Sequence, residues 1–251
     1  MTPSQAELYH FEDFTEAAYR RMLEVARERY AFEHFGTELD APHVLWRHDV
    51  DFSVHRALRM AQIESDLGLS STYFLLLHSQ FYNLLEASVR DLAVEIRELG
   101  HQIGLHFDAG YHGGGGSLAD LEHRAGWERD LVSETVGAEV ATLAFHIPEV
   151  TGVAGVEDDT IAGMVNAGGR SLRERYSYVS DSNGYWRHRR LPEVLQDGSE
   201  ERLHVLTHPG WWQPTAMSPR DRLSRCVEGR ARSSEAWYDE LVAAWGRENV
   251  R

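Results

Sequence analysis

The sequence predicts an α/β fold with a parallel sheet that closes toward a barrel, and three observations carry this expectation. Short apolar runs alternate about six times with longer segments of helical period, the rhythm of parallel strands joined by crossover helices. The chain has 251 residues, 42% hydrophobic and 26% charged, enough for one large core and too few for much else. The first strand-to-helix turn reads Asp49-Val50-Asp51-Phe52-Ser53 and lacks the G-x-G-x-x-G of an open dinucleotide-binding sheet, which favours a barrel-like arrangement.

Residues 1–42 form a helical preamble in this reading, and residues 43–251 form the barrel as a single domain. A helix is expected over Asp13–Tyr30, where Phe14, Ala17, Ala18, Met22, Val25 and Ala26 recur at helical spacing behind a capping pair, Asp13 and Glu16. Strands are expected at Val44–Asp51, Thr72–Leu77, Gln102–Asp108, Val140–Phe145, Tyr176–Ser180 and Leu203–Thr207. Helices are expected at Val54–Leu67, Leu85–Leu99, Leu118–Val136, Asp158–Asn166, Arg220–Glu228 and Ser234–Trp245. Gly113–Gly116 lies between a strand and a helix, as a lid or spacer, or as a row of backbone N–H groups facing an anion.

Composition removes several function classes. The formal charge of −15 opposes a nonspecific grip on nucleic acid or anionic lipid. All 25 basic residues are Arg, so Schiff-base chemistry, a pyridoxal phosphate anchor and a phosphate-loop Lys are excluded. The single Cys226 can neither staple the fold nor build a thiolate metal site, so a metal must sit on His and carboxylates. Met1–His10 has no basic stretch followed by an apolar run, and no uninterrupted apolar stretch of about 18 residues occurs, so a soluble cytoplasmic protein is expected.

In parallel β/α folds the reacting groups lie at the carboxyl ends of the strands, and four such ends carry chemistry. Alternation along Arg47-His48-Asp49-Val50-Asp51 puts Arg47, Asp49 and Asp51 on one side and His48 on the other. His106 and Asp108 share a face in Gly104-Leu105-His106-Phe107-Asp108. The remaining ends are Phe145-His146-Ile147-Pro148 and Leu206-Thr207-His208-Pro209. Singly, each has a plainer reading, a helix N-cap or a hydrogen-bonded strand-end His. Together they would bring metal ligands, an acid and a base to one mouth.

Asp49 and Asp51, Gly100-His101-Gln102-Ile103-Gly104-Leu105-His106, the Pro148 motif, Asp181-Ser182-Asn183-Gly184-Tyr185-Trp186 and His208 follow one another in the order of a known family. Over about Val44 to Trp212 the chain resembles the NodB-homology polysaccharide deacetylases, and in particular a divergent branch with R-H-D-V-D, F-H-x-P and H-P-x-W-W. The resemblance implies a distorted (β/α)7 barrel holding one divalent metal, usually Zn²⁺, and hydrolysing an N-acetyl or related acyl group. It assigns Asp49 as general base, Asp51 and His106 as metal ligands, and His208 as the acid that protonates the leaving amine, supported by Asp181 and Trp186. The sequence departs from the family pattern in three places. Val50 splits the two aspartates, Gly110 stands four residues beyond His106 where a second metal His is usual, and His146 stands where an Arg usually holds the base.

His146 is accordingly placed among the catalytic residues, and Asp108 ranks first as third metal ligand, ahead of His146 and His112. Arg47, Trp186 and Trp211 are expected to contact substrate, although Trp186, Trp211 and Trp212 could equally be core. Arg187-His188-Arg189-Arg190 reads as a solvated face or as a contact for a phosphate-bearing substrate. His101 reads as structural, and His43, His55, His78 and His123 receive no role. The expected function is a metal-dependent de-N-acylase acting on an intracellular sugar-containing or sugar-like biosynthetic intermediate. The alternatives are hydrolysis of a formamide or cyclic amide, and a non-catalytic carbohydrate- or partner-binding barrel, suggested by Gly110 and His146.

Overall fold

The structure, a computed structural model, describes residues 3–37 and 39–250, so the outermost ends of the two expected segments, residues 1 and 251, lie outside it. Helix α1 (Gln5–Leu8) and α2 (Glu16–Arg29) precede a short strand β1 (Ala31–Glu33). The alternating body follows as β2 (His43–Val50), α3 (Val54–Asp66), β3 (Thr72–Leu76), α4 (Ala87–Glu98), β4 (Gln102–Phe107), α5 (Leu118–Val136) and β5 (Thr142–Phe145). It continues through α6 (Pro148–Thr151), β6 (Thr160–Ile161), β7 (Met164–Asn166), α7 (Arg170–Arg175), β8 (Ser177–Ser180), α8 (Leu191–Asp197), β9 (Arg202–Thr207) and α9 (Pro219–Ala244). Thr15, Ser53, Ser117 and Ser218 start α2, α3, α5 and α9, each accepting a backbone N–H three residues ahead.

The sheet runs in the order β6-β7-β5-β4-β3-β2-β9-β8, with β1 paired to the start of β2. Strands β2, β3, β4, β5, β7, β8 and β9 pair in parallel with one another and succeed one another cyclically. Among the described residues no ladder joins β7 to β8. The fold is therefore a distorted (β/α)7 barrel, a curled sheet with one open seam. Such a sheet brings the carboxyl ends of β2, β4, β5, β8 and β9 around one mouth.

The two faces of β2 have separate tasks. On the helix side, Val44, Trp46 and Val50 pack with Phe14, Tyr19, Leu23, Val54 and Leu58 in the larger core. On the inner side, Leu45 joins Phe35, Phe74, Ala144, Ala167 and Tyr176 in a second apolar layer beneath the mouth. His48, alternating with Arg47 and Asp49, faces helix α3. Its Nε2–H donates to Glu64 Oε1 at 2.7 Å, and its Nδ1 pairs with the Thr207 hydroxyl at 2.7 Å. Glu64 also accepts from Ser71 at 2.7 Å, Tyr73 at 2.8 Å and the Tyr19 hydroxyl. Burial opposes the charge on Glu64, yet the facing His48, the nearby His101 and the Tyr19 hydroxyl hold its pKa at about 2. His101 is structural as expected, lying 3.0 Å from the Ala61 carbonyl and accepting from Ser71 N–H at 3.2 Å.

Three expected helices are different. Asp158–Asn166 is not a helix. Thr160–Ile161 and Met164–Asn166 form an antiparallel hairpin whose central residues Ala162 and Gly163 both have positive φ, 49° and 78°. A two-residue turn of this hand matches the strand twist, and β-branched Thr160, Ile161 and Val165 suit the ladder better than a helix. Arg220–Glu228 and Ser234–Trp245 are one continuous helix, α9. A glycine inside a helix costs only about 1 kcal/mol. Immediately past Gly229, Arg230 holds Glu86 through bonds of 2.9 and 2.6 Å, which keeps the helix going. Among the described residues no helix is long and apolar enough to cross a membrane.

Candidate active site

Arg47, Asp49, Asp51, His106, His146 and His208 line one cavity of about 410 Å³, shared with Tyr176, Tyr178, Arg173 and His204. Alternation along β2 directs Arg47 and Asp49 inward, and Asp51 continues the series just past the strand end. Arg47 grips Asp49 in a fork, Nε to Oδ1 and Nη2 to Oδ2, both 2.7 Å. Its guanidinium also lies 5.1 Å over the Phe74 ring. Burial would raise the pKa of Asp49, but the Arg47 charge outweighs it and holds the carboxylate below its usual range. Arg47 was expected to touch substrate; its two forked N–H groups are committed to Asp49.

Asp51 Oδ1 lies 3.2 Å from His106 Nε2 and 3.5 Å from His146 Nδ1, and the two imidazole nitrogens are 3.2 Å apart. These three residues form a group that could hold a metal ion. Bonds of about 2.0–2.1 Å arranged tetrahedrally give ligand separations of about 3.3 Å, close to all three observed edges. Asp51 Oδ1 is buried and has no hydrogen-bond partner, the condition of an oxygen awaiting a cation. The donor set therefore fits a divalent metal. His106 is fixed from behind, because its Nδ1–H donates to the Ala144 carbonyl at 3.0 Å and leaves Nε2 facing the group. Burial opposes the charge of Asp51 but the facing imidazoles prevail and hold its carboxyl far below the ordinary range. Burial likewise would lower the pKa of His146, and Asp51 raises it.

His208 closes the opposite side, its Nε2 3.8 Å from Asp51 Oδ2. Asp181, fully buried, accepts from the His208 Nδ1–H at 2.6 Å, from the His208 backbone N–H at 3.0 and 3.1 Å, and from Trp212 Nε1–H at 3.0 Å. Burial would push the His208 pKa down, and the Asp181 charge and hydrogen bond reverse this, raising it to about 9. Gly210 follows in a tight turn where a Cβ would stand 2.0 Å from the Phe52 ring. Gly210→Ala is expected to destabilise the protein by about 1–3 kcal/mol, seen as a lowered denaturant midpoint, because the ring cannot yield without moving this turn.

Three expected site residues lie elsewhere. Asp108 is not part of the metal-type group. Its Oδ1 turns back to accept the Gly110 N–H at 2.8 Å, and His146 from the adjacent β5 stands with Asp51 and His106 instead. Trp186 stacks on Phe14 with centroids 5.1 Å apart and donates to Asp13 Oδ2 at 2.8 Å, so Trp212 contacts Asp181 in its place. Trp211 packs edge-on against Phe52 at 4.7 Å and does not line the cavity. At position 110 a Cβ would lie 3.0 Å from both Asp108 Oδ1 and Thr151 Cγ2, so a larger side chain there would require these two to shift. The Arg187–Arg190 run is split as well, Arg190 bonding Asp13 at 2.6 and 2.7 Å and Arg189 pairing with Glu200 at 2.7 Å.

Sequence reasoning missed Tyr176, Tyr178 and His204 in the cavity wall. The signal was the same alternation that exposed Asp49: Tyr178 on β8 is two residues past Tyr176, which immediately precedes that strand, and His204 on β9 is four before His208, which immediately follows it. Burial and then the nearby Arg47 push the pKa of His204 down to about 3, so it is a neutral wall residue.

No protein-family profile and no curated protein matches the chain. Among solved structures it is similar to a family 4 carbohydrate esterase from Bacillus anthracis, at 10% identity and a TM-score of 0.42, covering 84% of this chain and 85% of that one. It is also similar to the chitin deacetylase of the fungal pathogen Colletotrichum lindemuthianum, at 15% identity and a TM-score of 0.41, covering 76% and 83%. A third similar structure is a family 4 pseudoenzyme from Bacillus anthracis, 13% identical with a TM-score of 0.42, where 76% of this chain spans 63% of the other. At these identities and scores no residue role is carried across.

Proposed function

We propose that the chain is a metal-dependent amide hydrolase that removes an N-acyl group, most simply acetyl, from a small sugar-containing or sugar-like biosynthetic intermediate. The observation that carries this reading is that the Asp51, His106 and His146 group shares one cavity with Asp49, 3.5 Å from His106, and with His208, 3.8 Å from Asp51. A divalent cation such as Zn²⁺, held by those three residues, would supply positive charge that polarises the acyl carbonyl and acidifies water.

The chain's own residues do the rest. Amide hydrolysis adds water to the carbonyl carbon, breaks the C–N bond and moves one proton from the water to the departing nitrogen. Asp49, kept ionised by Arg47, accepts the proton from the attacking water. His208 donates to the nitrogen, because an amide anion is too poor a leaving group to depart unprotonated. Asp181 occupies His208 Nδ1, so the proton to be donated is on Nε2, which faces the cavity. Tyr176, Tyr178 and Arg173 supply the mixed apolar and polar wall that suits a sugar, and the volume lies within the usual range for small-ligand sites.

The test is release of acetate with an equal amount of free amine from a panel of N-acetylated mono- and disaccharides, by protein reconstituted with Zn²⁺, and its loss on chelation. A protein that holds its metal yet releases no acyl group from amide substrates would end the reading.

The pH dependence follows from the two directions of shift. His208 must be protonated, so turnover should fall as pH rises through about 9, and Asp49 must be ionised, so turnover should fall only below the usual carboxylate range. In His208→Ala the basic limb should disappear or move. An unchanged basic limb in this variant would assign the proton donor elsewhere.

A further inference from the structure

A second cluster of metal-type donors lies on the opposite side of β4 from the cavity, and we infer that His78, His112 and Glu128 form a separate divalent-cation site. His106 faces inward, whereas its neighbour Phe107 faces outward and stacks on the His112 ring, 5.4 Å between centroids. His112 belongs to the β4–α5 connection, His78 to the β3–α4 connection, and Glu128 to α5. Their ligating atoms all lie within 4.8 Å of one another.

Glu128 is out of place as an ordinary surface acid. It follows Leu121 and Ala125 and precedes Val132 and Val136 on the buried stripe of α5, where an apolar side chain would be the simple choice, and its side chain is 1% exposed. Both imidazoles converge on the same carboxylate oxygen, His112 Nε2 at 2.5 Å and His78 Nε2 at 3.4 Å from Oε1. The His78 Nε2 atom is buried and makes no hydrogen bond, so pairing with the carboxylate leaves the cluster incomplete. A cation accepts lone pairs from both nitrogens and the oxygen at once. The Glu128 carboxylate need only turn on its flexible stem to widen the 2.5 Å contact.

The surroundings hold the rings ready. Tyr111 stacks on His78 at 3.5 Å with planes 8° apart, Trp127 lies parallel to His78 at 6.3 Å, and Arg124 ties down the His112 carbonyl at 2.6 Å. Two imidazoles and a carboxylate suit Zn²⁺. The site would clamp the two strand-end connections, including the one that runs on through Gly113–Gly116, to α5.

The experiment is metal content per chain after Zn²⁺ loading and removal of loosely bound ion, with Co²⁺ absorption as a second readout. The wild-type protein should hold two equivalents, Glu128→Gln one, Asp51→Ala one, and the combined variant none. If Glu128→Gln does not fold, the partly exposed His78→Ala replaces it with the same expectation. A wild-type protein holding one equivalent, lost in Asp51→Ala and kept in Glu128→Gln, overturns the second site and leaves the hydrolase reading standing. One equivalent lost in Glu128→Gln and kept in Asp51→Ala supports the second site and overturns the first.

Discussion

Asp49→Asn is expected to retain its metal while losing about two to four orders of magnitude in turnover, the usual worth of general acid–base catalysis. The change is isosteric and leaves the Asp51, His106 and His146 group in place, but it removes the only charge with which Asp49 could take a proton. It has a second effect that must be separated from the first. Arg47 and Asp49 are 8% and 5% exposed, and removing one partner of a buried pair typically costs about 3–5 kcal/mol. The melting temperature should fall, so rates are compared well below it. A companion change distinguishes the base from a merely structural pair. In Arg47→Met the carboxylate survives but loses the guanidinium that depresses its pKa, and the acid limb of the pH–rate profile should move to higher pH. Wild-type turnover in Asp49→Asn on a verified substrate would show that Asp49 is not the base.

The second large effect concerns metal retention. Asp51→Ala and His106→Ala should each lose the equivalent of metal bound in the cavity. Removal of an outer partner typically weakens a site by about 10–100-fold, and removal of one of three protein ligands should weaken it more. Asp51 contributes both the unpaired Oδ1 and the carboxylate that contacts both imidazoles, so its loss leaves His106 and His146 facing each other with no oxygen ligand between them. Dialysis against a chelator of known affinity, followed by metal analysis, gives the answer directly. Full occupancy of the cavity metal in Asp51→Ala would refute the ligand set.

Much of this arrangement is local and was therefore legible along the chain. Alternation from Arg47 to Asp51 is a property of any extended strand, and it sorted Asp49 and Asp51 from His48 without knowledge of the fold. The strand-helix rhythm carried the parallel barrel, and a parallel barrel requires its strand ends to share a mouth. His106, His146 and His208 were accordingly expected near Asp51. The hairpin at Thr160–Asn166 escaped because two- and three-residue strands are too short to show a period, and their turn uses an Ala in a positive-φ conformation that composition does not announce.

Other features were set by contacts between distant residues. The choice of His146 over Asp108 depends on β5 lying beside β4 and on Asp108 turning to the Gly110 N–H just beyond the strand end. Trp186 is drawn from the cavity by Asp13, 173 residues away, while Trp212 reaches Asp181. Glu128 joins His78 and His112 only because α5 docks against the β3–α4 and β4–α5 connections. Periodicity determines which way a side chain leaves its own strand or helix. Which buried partner meets it depends on the docking of elements far apart in sequence, because an unpaired buried polar group is costly and the fold settles where such groups find one another.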